Sequence, residues 1–214
     1  MSKGKQQKFS EFDAFENTLD FNANTLGHWH EIFGNNNPIV LELACGKGDY
    51  TIGLARRNPY VNYVGVDIKG NRLWRGAKTA VEDGLKNVRF LRIQIDFIEK
   101  HFAPDEVSEI WITFPDPQPA KARKRLTSSR FLNEYRKICI KSAAVNLKTD
   151  SDLFFESTLE TIAEEGLTIL EKVNNVYTEA CAPELKEIQT FYENIWLKEG
   201  RTIKYVKFSL NRRD

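Results

Sequence analysis

Cysteine is scarce and dispersed in this chain. Cys45, Cys139 and Cys181 are the three thiols among 214 residues, an odd number with no CxxC pair. That excludes a disulfide framework and a zinc module of ordinary spacing, and it leads us to expect a reduced, cytoplasmic setting. Histidine is equally sparse. His28 and His30 form a short H-x-H, too little for a metal site on its own, so no metal is expected. No apolar run approaches the roughly 20 residues needed to cross a bilayer, and no signal-peptide core opens the chain, so no membrane partner is expected. Neither sign of charge is in excess: 31 Lys and Arg stand against 30 Asp and Glu, a net charge of +1. Contact with a polyanion must therefore come from local patches. Internal repeats and linker-like stretches are also missing, which predicts one domain over 1–214 with a sizeable core. The opening, with Lys3, Lys5 and Lys8, is polar and basic. Residues 1–20 are expected to form a flexible arm able to touch a polyanion.

Alternating strand-like and helix-like segments fill the rest. Strands are predicted over Pro38–Leu43, Val61–Asp67, Val88–Ile95, Val107–Phe114, Ala143–Leu147, Leu167–Val173 and Thr202–Leu210. Helical spacing covers Thr51–Arg57, Asn71–Gly84, Ser129–Ser142, Ser151–Glu165 and Glu184–Glu199. Such alternation implies an α/β fold, a mainly parallel sheet with helices on both faces.

The most informative stretch is Glu109–Pro119. An apolar strand ends abruptly in Phe114-Pro115-Asp116-Pro117. Proline cannot donate to a sheet ladder, and the residue before each proline is pushed towards extended geometry. Asp116 is thereby held by stiff backbone at a strand's C-terminal end, the edge where open α/β sheets bind ligands. Lys121, Arg123, Lys124, Arg125 and Arg130 follow with no acid between them. A fixed carboxylate beside cations suits a site acting on an anionic polymer. A proline-rich turn next to a solvated charged face remains the alternative.

Upstream, Pro38–Tyr50 reads as a buried strand, a turn with Gly46 and Gly48, and a helix start. The glycines let backbone approach a ligand closely. The next strand ends at Asp67, about 20 residues on, where dinucleotide folds place a ribose-binding acid. The third glycine of a dinucleotide fingerprint is replaced by Thr51, and Asp49 after Gly48 excludes a P-loop. A cofactor with ribose but no phosphate fits better. S-adenosylmethionine is such a molecule, and Glu42 at the first strand's end could meet one of its cationic groups. An ordinary strand-to-helix turn, with glycines for packing, stays open beside this.

Glu42-Leu43-Ala44-Cys45-Gly46-Lys47-Gly48, Asn62-Tyr63-Val64-Gly65-Val66-Asp67 and Phe114-Pro115-Asp116-Pro117 together resemble the tRNA (guanine-N7-)-methyltransferase family. Asn87–Phe90 leading to Asp96, Arg125–Thr127 before Phe131–Tyr135, Leu147–Asp150, and Thr190-Phe191-Tyr192-Glu193 add to the resemblance, which spans about Pro38 to Tyr205. Gln118 stands where the family usually has tryptophan, and the stretch between Asp116 and Leu126 is about two residues shorter. Lys121 is taken as the counterpart of the family's substrate lysine.

The resemblance implies a Rossmann-like class I methyltransferase fold with seven strands, the last antiparallel. It implies methyl transfer from S-adenosylmethionine to N7 of a guanosine in the tRNA variable loop. Glu42, Gly46, Gly48, Asp67, Asp96 and Asp116 would line the cofactor pocket, with Asp116 also at the reacting centre. Lys121, Asp150, Thr190, Phe191, Tyr192 and Glu193 would bind the nucleoside, and Arg123, Lys124, Arg125 and Arg130 the RNA backbone. Thr190 and Glu193 also fit a helix capping box. A non-catalytic RNA-binding domain, or a methyltransferase for another RNA or a small molecule, are the competing functions.

Overall fold

Strand β2 (Ile39–Leu43) is buried at every position, as is β3 (Asn62–Asp67). Strands apolar on both faces need helices above and below. The computed structural model, which describes residues 3–211, supplies them. β4 (Val88–Arg92), β5 (Val107–Thr113) and β6 (Cys139–Thr149) complete the parallel centre. β7 (Ile169–Val173) and β8 (Lys204–Ser209) close one side, with β8 antiparallel to both β6 and β7. The order is β1-β4-β3-β2-β5-β6-β8-β7. β2 to β8 form the expected class I methyltransferase sheet. β1 (Thr18–Asp20) is an eighth strand, parallel to β4.

Neighbouring residues along each strand point to opposite faces. Leu41, Ile110 and Ile112 pack with Leu132, Tyr135 and Phe155 from α5 (Ser129–Ile138) and α6 (Asp152–Glu164). Val40, Tyr63 and Trp111 pack with Tyr50, Leu54, Leu73 and Ala77 from α3 (Asp49–Arg57) and α4 (Gly70–Glu82).

Three segments differ from the sequence-based expectation. The supposed flexible arm is helix α1 (Lys3–Ala14) followed by β1; its first two residues lie outside the described range. Phe12 is buried in the α3–α4 core, and Trp74 Nε1 donates to Glu11 at 2.7 Å. A short polar segment is held here by one buried ring and an edge pairing, neither of which stands out in a charged sequence. α5 stops at Ile138, and the chain passes directly into β6, because Ile138, Cys139 and Ile140 suit either periodicity. The predicted helix over 184–199 is two: α7 (Glu184–Glu187) and α8 (Phe191–Lys198). Between them, Ile188–Thr190 turns so that Lys148 Nζ can take the carbonyl of Leu185 at 2.7 Å. A short α2 (Trp29–Phe33) precedes β2.

Candidate active site

β2, β3 and β5 end at one edge, and each is followed by a constrained turn. After β2, Ala44 takes a left-handed φ of 56°, Gly46 of 57° and Gly48 of 72°. A Cβ on Gly48 would come within 2.5 Å of the Phe90 ring, so tertiary packing as well as φ demands glycine there. After β3, Asp67 holds two turns at once: its Oδ2 accepts from Gly46 N at 3.0 Å and its Oδ1 from Lys69 N at 2.8 Å. A carboxylate oxygen has a second lone pair, so each can still accept from a hydroxyl. After β5, Phe114 has φ 47° and Gln118 φ 46°, both non-glycine residues in the left-handed region. Two such residues around one carboxylate mark a strained segment, as functional loops often do. Asp116 is exposed between them, and its Oδ1 accepts from Gln118 N at 3.0 Å.

Two cavities flank this edge and share Ala44. The larger, about 420 Å³, is lined by Asp67, Ile68, Ile93, Asp96, Gln118 and Phe131 among others. The smaller, about 70 Å³, lies among Gly46, Arg72, Phe114, Thr190, Phe191 and Tyr192. Phe114 faces the small cavity and Gln118 the large one, so the Asp116 turn runs from one to the other. Apolar walls beside the Asp67 carboxylate suit an adenosine, and a glycine turn in which Asp49 follows Gly48, in place of the Lys-Ser or Lys-Thr of a P-loop, suits a phosphate-free tail. The residues present therefore fit S-adenosylmethionine: Asp67 would take the ribose hydroxyls, Ile68, Ile93 and Phe131 would cover the purine faces, and the Ala44–Gly48 turn would hold the remainder.

The structure brings Gly46, Gly48, Asp67, Asp96 and Asp116 to this edge, and places other predicted residues differently. Glu42 is buried under the glycine turn. Its Oε2 accepts from Thr51 N at 2.7 Å and from Thr51 Oγ1, and its Oε1 accepts from Thr113 Oγ1 at 2.6 Å. It braces the turn from below. Burial pushes its carboxyl up to about 7, against the hydrogen bonds from Thr113 and Thr51. Asp96 is exposed and ion-paired with Arg130. Arg130 thus lines the large cavity, with its charge already matched.

Among the predicted RNA-contacting cations, Lys121, Arg123 and Lys124 are exposed, but Arg125 is turned inward. Its Nε donates to Pro117 O at 3.1 Å and its Nη1 to Ser157 Oγ at 2.7 Å. Arg125 is thereby tied to the Asp116 turn, with two of the guanidinium's five N–H donors held by internal acceptors.

The predicted nucleoside group is only partly assembled. Thr190, Phe191 and Tyr192 line the small cavity. Asp150 lies outside it and pairs with Arg201 at 2.8 Å. Glu193 is fully buried and points away. It completes a capping box with Thr190, accepts from Tyr177 Oη at 2.8 Å and meets Lys148 Nζ at 2.5 Å. The capping reading is the one this geometry realises. Lys148, Arg201, Lys47 and Arg72 were not picked out from the sequence. Lys148 had a signal: it lies at the end of the apolar-rich run Ala143–Leu147, and a lysine buried there needs an acid beside it.

Among the described residues, no group of three or more His, Cys, Asp or Glu side chains could hold a metal ion. No helix of the described residues is long and apolar enough to cross a membrane.

The chain is similar to known proteins along most of its length. A family model described as a putative methyltransferase matches residues 36–206. The chain is 47% identical to the tRNA (guanine-N(7)-)-methyltransferase of Christiangramia forsetii, covering 98% of this chain and 99% of that one. It is 43% identical to the protein of the same description from Bacteroides fragilis, covering 98% and 87%. Among solved structures, the 16S rRNA methyltransferase KamB superposes with a TM-score of 0.66 at 16% identity, covering 86% of this chain and 93% of that one. The 16S rRNA (adenine(1408)-N(1))-methyltransferase of Catenulisporales acidiphilia gives 0.60 at 13% identity, covering 88% and 92%. These two share the fold. Sequence identity across nearly the whole chain carries the assignment further: the chain belongs to the tRNA (guanine-N7-)-methyltransferase family.

Proposed function

We propose that the protein transfers a methyl group from S-adenosylmethionine to N7 of a guanosine in tRNA, in the cytoplasm, with the target in the variable loop. The observation that carries this is the pairing of Asp67, a buried carboxylate with lone pairs to spare, with the strained turn that presents Asp116 across the same edge. S-adenosylmethionine supplies an electrophilic methyl on a sulfonium. Guanine N7 has an in-plane lone pair and no proton, so the residues need not include a strong base. Their task is alignment: the glycine turn fixes one reactant, and Phe114, Phe191 and Tyr192 enclose the small cavity in which the other approaches. The purine gains positive charge as the bond forms, and the Asp116 carboxylate offsets it. Lys121, Arg123 and Lys124 give the approaching RNA a cationic face beyond the turn.

The test is radiolabelled methyl transfer to unmodified bulk tRNA, followed by nucleoside analysis. Label recovered in 7-methylguanosine supports the reading. Label in another nucleoside, or only in a small molecule, overturns it.

A further inference from the structure

The small cavity beneath Phe191 does not end at the cofactor edge. A cleft of about 440 Å³ opens beside it between α3, α4 and α7. Lys47 and Asp49 line both spaces, so the two adjoin along these residues, and we read them as one groove. Cations outnumber acids along it, although Asp49 borders both spaces, where its Oδ2 accepts from Phe191 N at 3.0 Å. Arg72 borders the cavity, and Arg75, one turn further along α4, borders the cleft. Arg56 and Arg57 also line the cleft, but Asp83 and Glu187 neutralise them. Among the described residues, Lys47, Arg72 and Arg75 form no salt bridge.

Aromatic rings line the other wall. Phe191 is 50% exposed and Tyr192 42%, on the first turn of α8. Phe191 meets Tyr192 edge-on at 5.5 Å, and Tyr192 stacks on Trp196 at 6.4 Å. A cation closes each end of the ladder. Lys47 Nζ stands 3.5 Å over the Phe191 ring, and the Arg201 guanidinium 3.8 Å over Trp196. Arg201 is matched by Asp150 and Glu199, which leaves Lys47, Arg72 and Arg75 as the cations beside these rings without an acidic partner. Exposed rings next to such cations are what a single-stranded nucleic acid requires, since every base offers a face and every linkage a charge. A duplex could not use this wall, because its base faces are already stacked.

We propose that this groove seats unpaired nucleotides flanking the target guanosine, with Phe191 and Tyr192 stacking on bases and Lys47, Arg72 and Arg75 neutralising phosphates. The proposal deepens the functional reading above and rests on it. Lys121, Arg123 and Lys124 lie beyond the Asp116 turn, towards α5, and this groove lies towards α3 and α4. The target cavity would then be bracketed by two cationic surfaces. Selection would act on the single-stranded state of the target region rather than on its sequence.

The experiment compares wild type with Tyr192→Ala, Tyr192→Phe and the double variant Arg72→Ala/Arg75→Ala. Affinity is measured at several salt concentrations for unmodified tRNA, for single-stranded oligouridylate and for a blunt RNA duplex. Calorimetry with S-adenosylmethionine checks that the cofactor pocket is intact. Tyr192→Ala should weaken tRNA and oligouridylate roughly 5- to 100-fold with an unchanged salt slope, and Tyr192→Phe should restore binding. The arginine variant should lower the oligouridylate salt slope by about 0.7 per lost contact. The proposal is overturned by unchanged RNA affinity in Tyr192→Ala, by an unchanged slope in the arginine variant, or by a duplex that binds as tightly as oligouridylate. If the variants behave as expected but wild type forms no 7-methylguanosine, the functional reading fails and the assignment of the groove to single-stranded RNA stands.

Discussion

Lys148 Nζ lies 2.5 Å from Glu193 Oε1, and neither side chain has any exposed surface. The same ammonium donates to Leu185 O at 2.7 Å, and more weakly to Ile188 O at 3.4 Å. One strand residue thereby holds α7, the turn after it and the start of α8. Those elements carry Thr190, Phe191 and Tyr192 over the small cavity. Burial pulls the Lys148 pKa below the usual lysine range, and Glu193 opposes that shift. Lys148→Met should leave Glu193 uncompensated and lower stability by about 3–5 kcal/mol in urea denaturation. Adding Glu193→Leu should recover much of the loss. A single variant within 1 kcal/mol of wild type, on the scale at which surface pairs are measured, would show that the pair contributes little.

Asp67→Ala should weaken S-adenosylmethionine binding by about 1.5–3 kcal/mol, the range for hydrogen bonds to a charged group. Titration calorimetry measures this directly, with thermal melting as a check on the fold. Wild-type affinity would remove Asp67 from the ribose site.

Asp116→Asn keeps the side chain's size and removes its charge. Loss of one preorganised electrostatic partner costs on the order of 10²- to 10³-fold in kcat. Single-turnover methyl transfer to tRNA gives the number. Asp116 does not act at the reacting centre if the rate stays within about threefold of wild type, too small a change for such a partner.

Gly76→Ala separates local from tertiary preference. Inside a helix alanine is favoured over glycine by about 1 kcal/mol. Here the added Cβ would lie 2.5 Å from Lys47 O and 2.6 Å from the Phe90 ring. Overpacking of that kind costs about 1–3 kcal/mol, and relieving it displaces the glycine turn. We expect a lower melting temperature together with weaker cofactor binding. A higher melting temperature would contradict the packing argument.

Glu42 should make stability depend on pH. Its folded-state pKa is about 7, against an ordinary value of 4.5. Between those values the folded protein binds more protons than the unfolded chain, so the contribution is fully present below pH 4.5 and is lost as pH rises towards 7. The loss from this group is about 3 kcal/mol, from a shift of that size. Denaturation across this window should show a fall in wild type and a flatter profile in Glu42→Gln. Parallel profiles would mean that Glu42 ionises normally.

Much of the site was legible because its signals are short-range. Pro115 and Pro117 end β5, Gly46 and Gly48 make the turn after β2, and Asp67 closes β3; each follows from residues adjacent in sequence. Thr190 and Glu193 were legible as a pair, and the family resemblance favoured nucleoside recognition over capping. Capping or recognition depends on what lies opposite Glu193, and that is Lys148, 45 residues upstream. Arg125 looked like one more cation in a basic run. Only the fold reveals Pro117 O and Ser157 Oγ waiting for it.

By itself the sequence determined the alternation of strand and helix, the edge at which the acids gather and the family. Those depend on periodicity, turn chemistry and motif order, which are written along the chain. The tertiary structure decided which charges face inward, where the 184–199 helix breaks, and that residues 3–20 fold onto the α4 face and β4 edge. It also joined Lys47 to Phe191 and Arg72 to Tyr192 in one groove. These are matters of partner identity across long separations. They are set by packing geometry and by the cost of burying an unpaired charge, which no local pattern encodes.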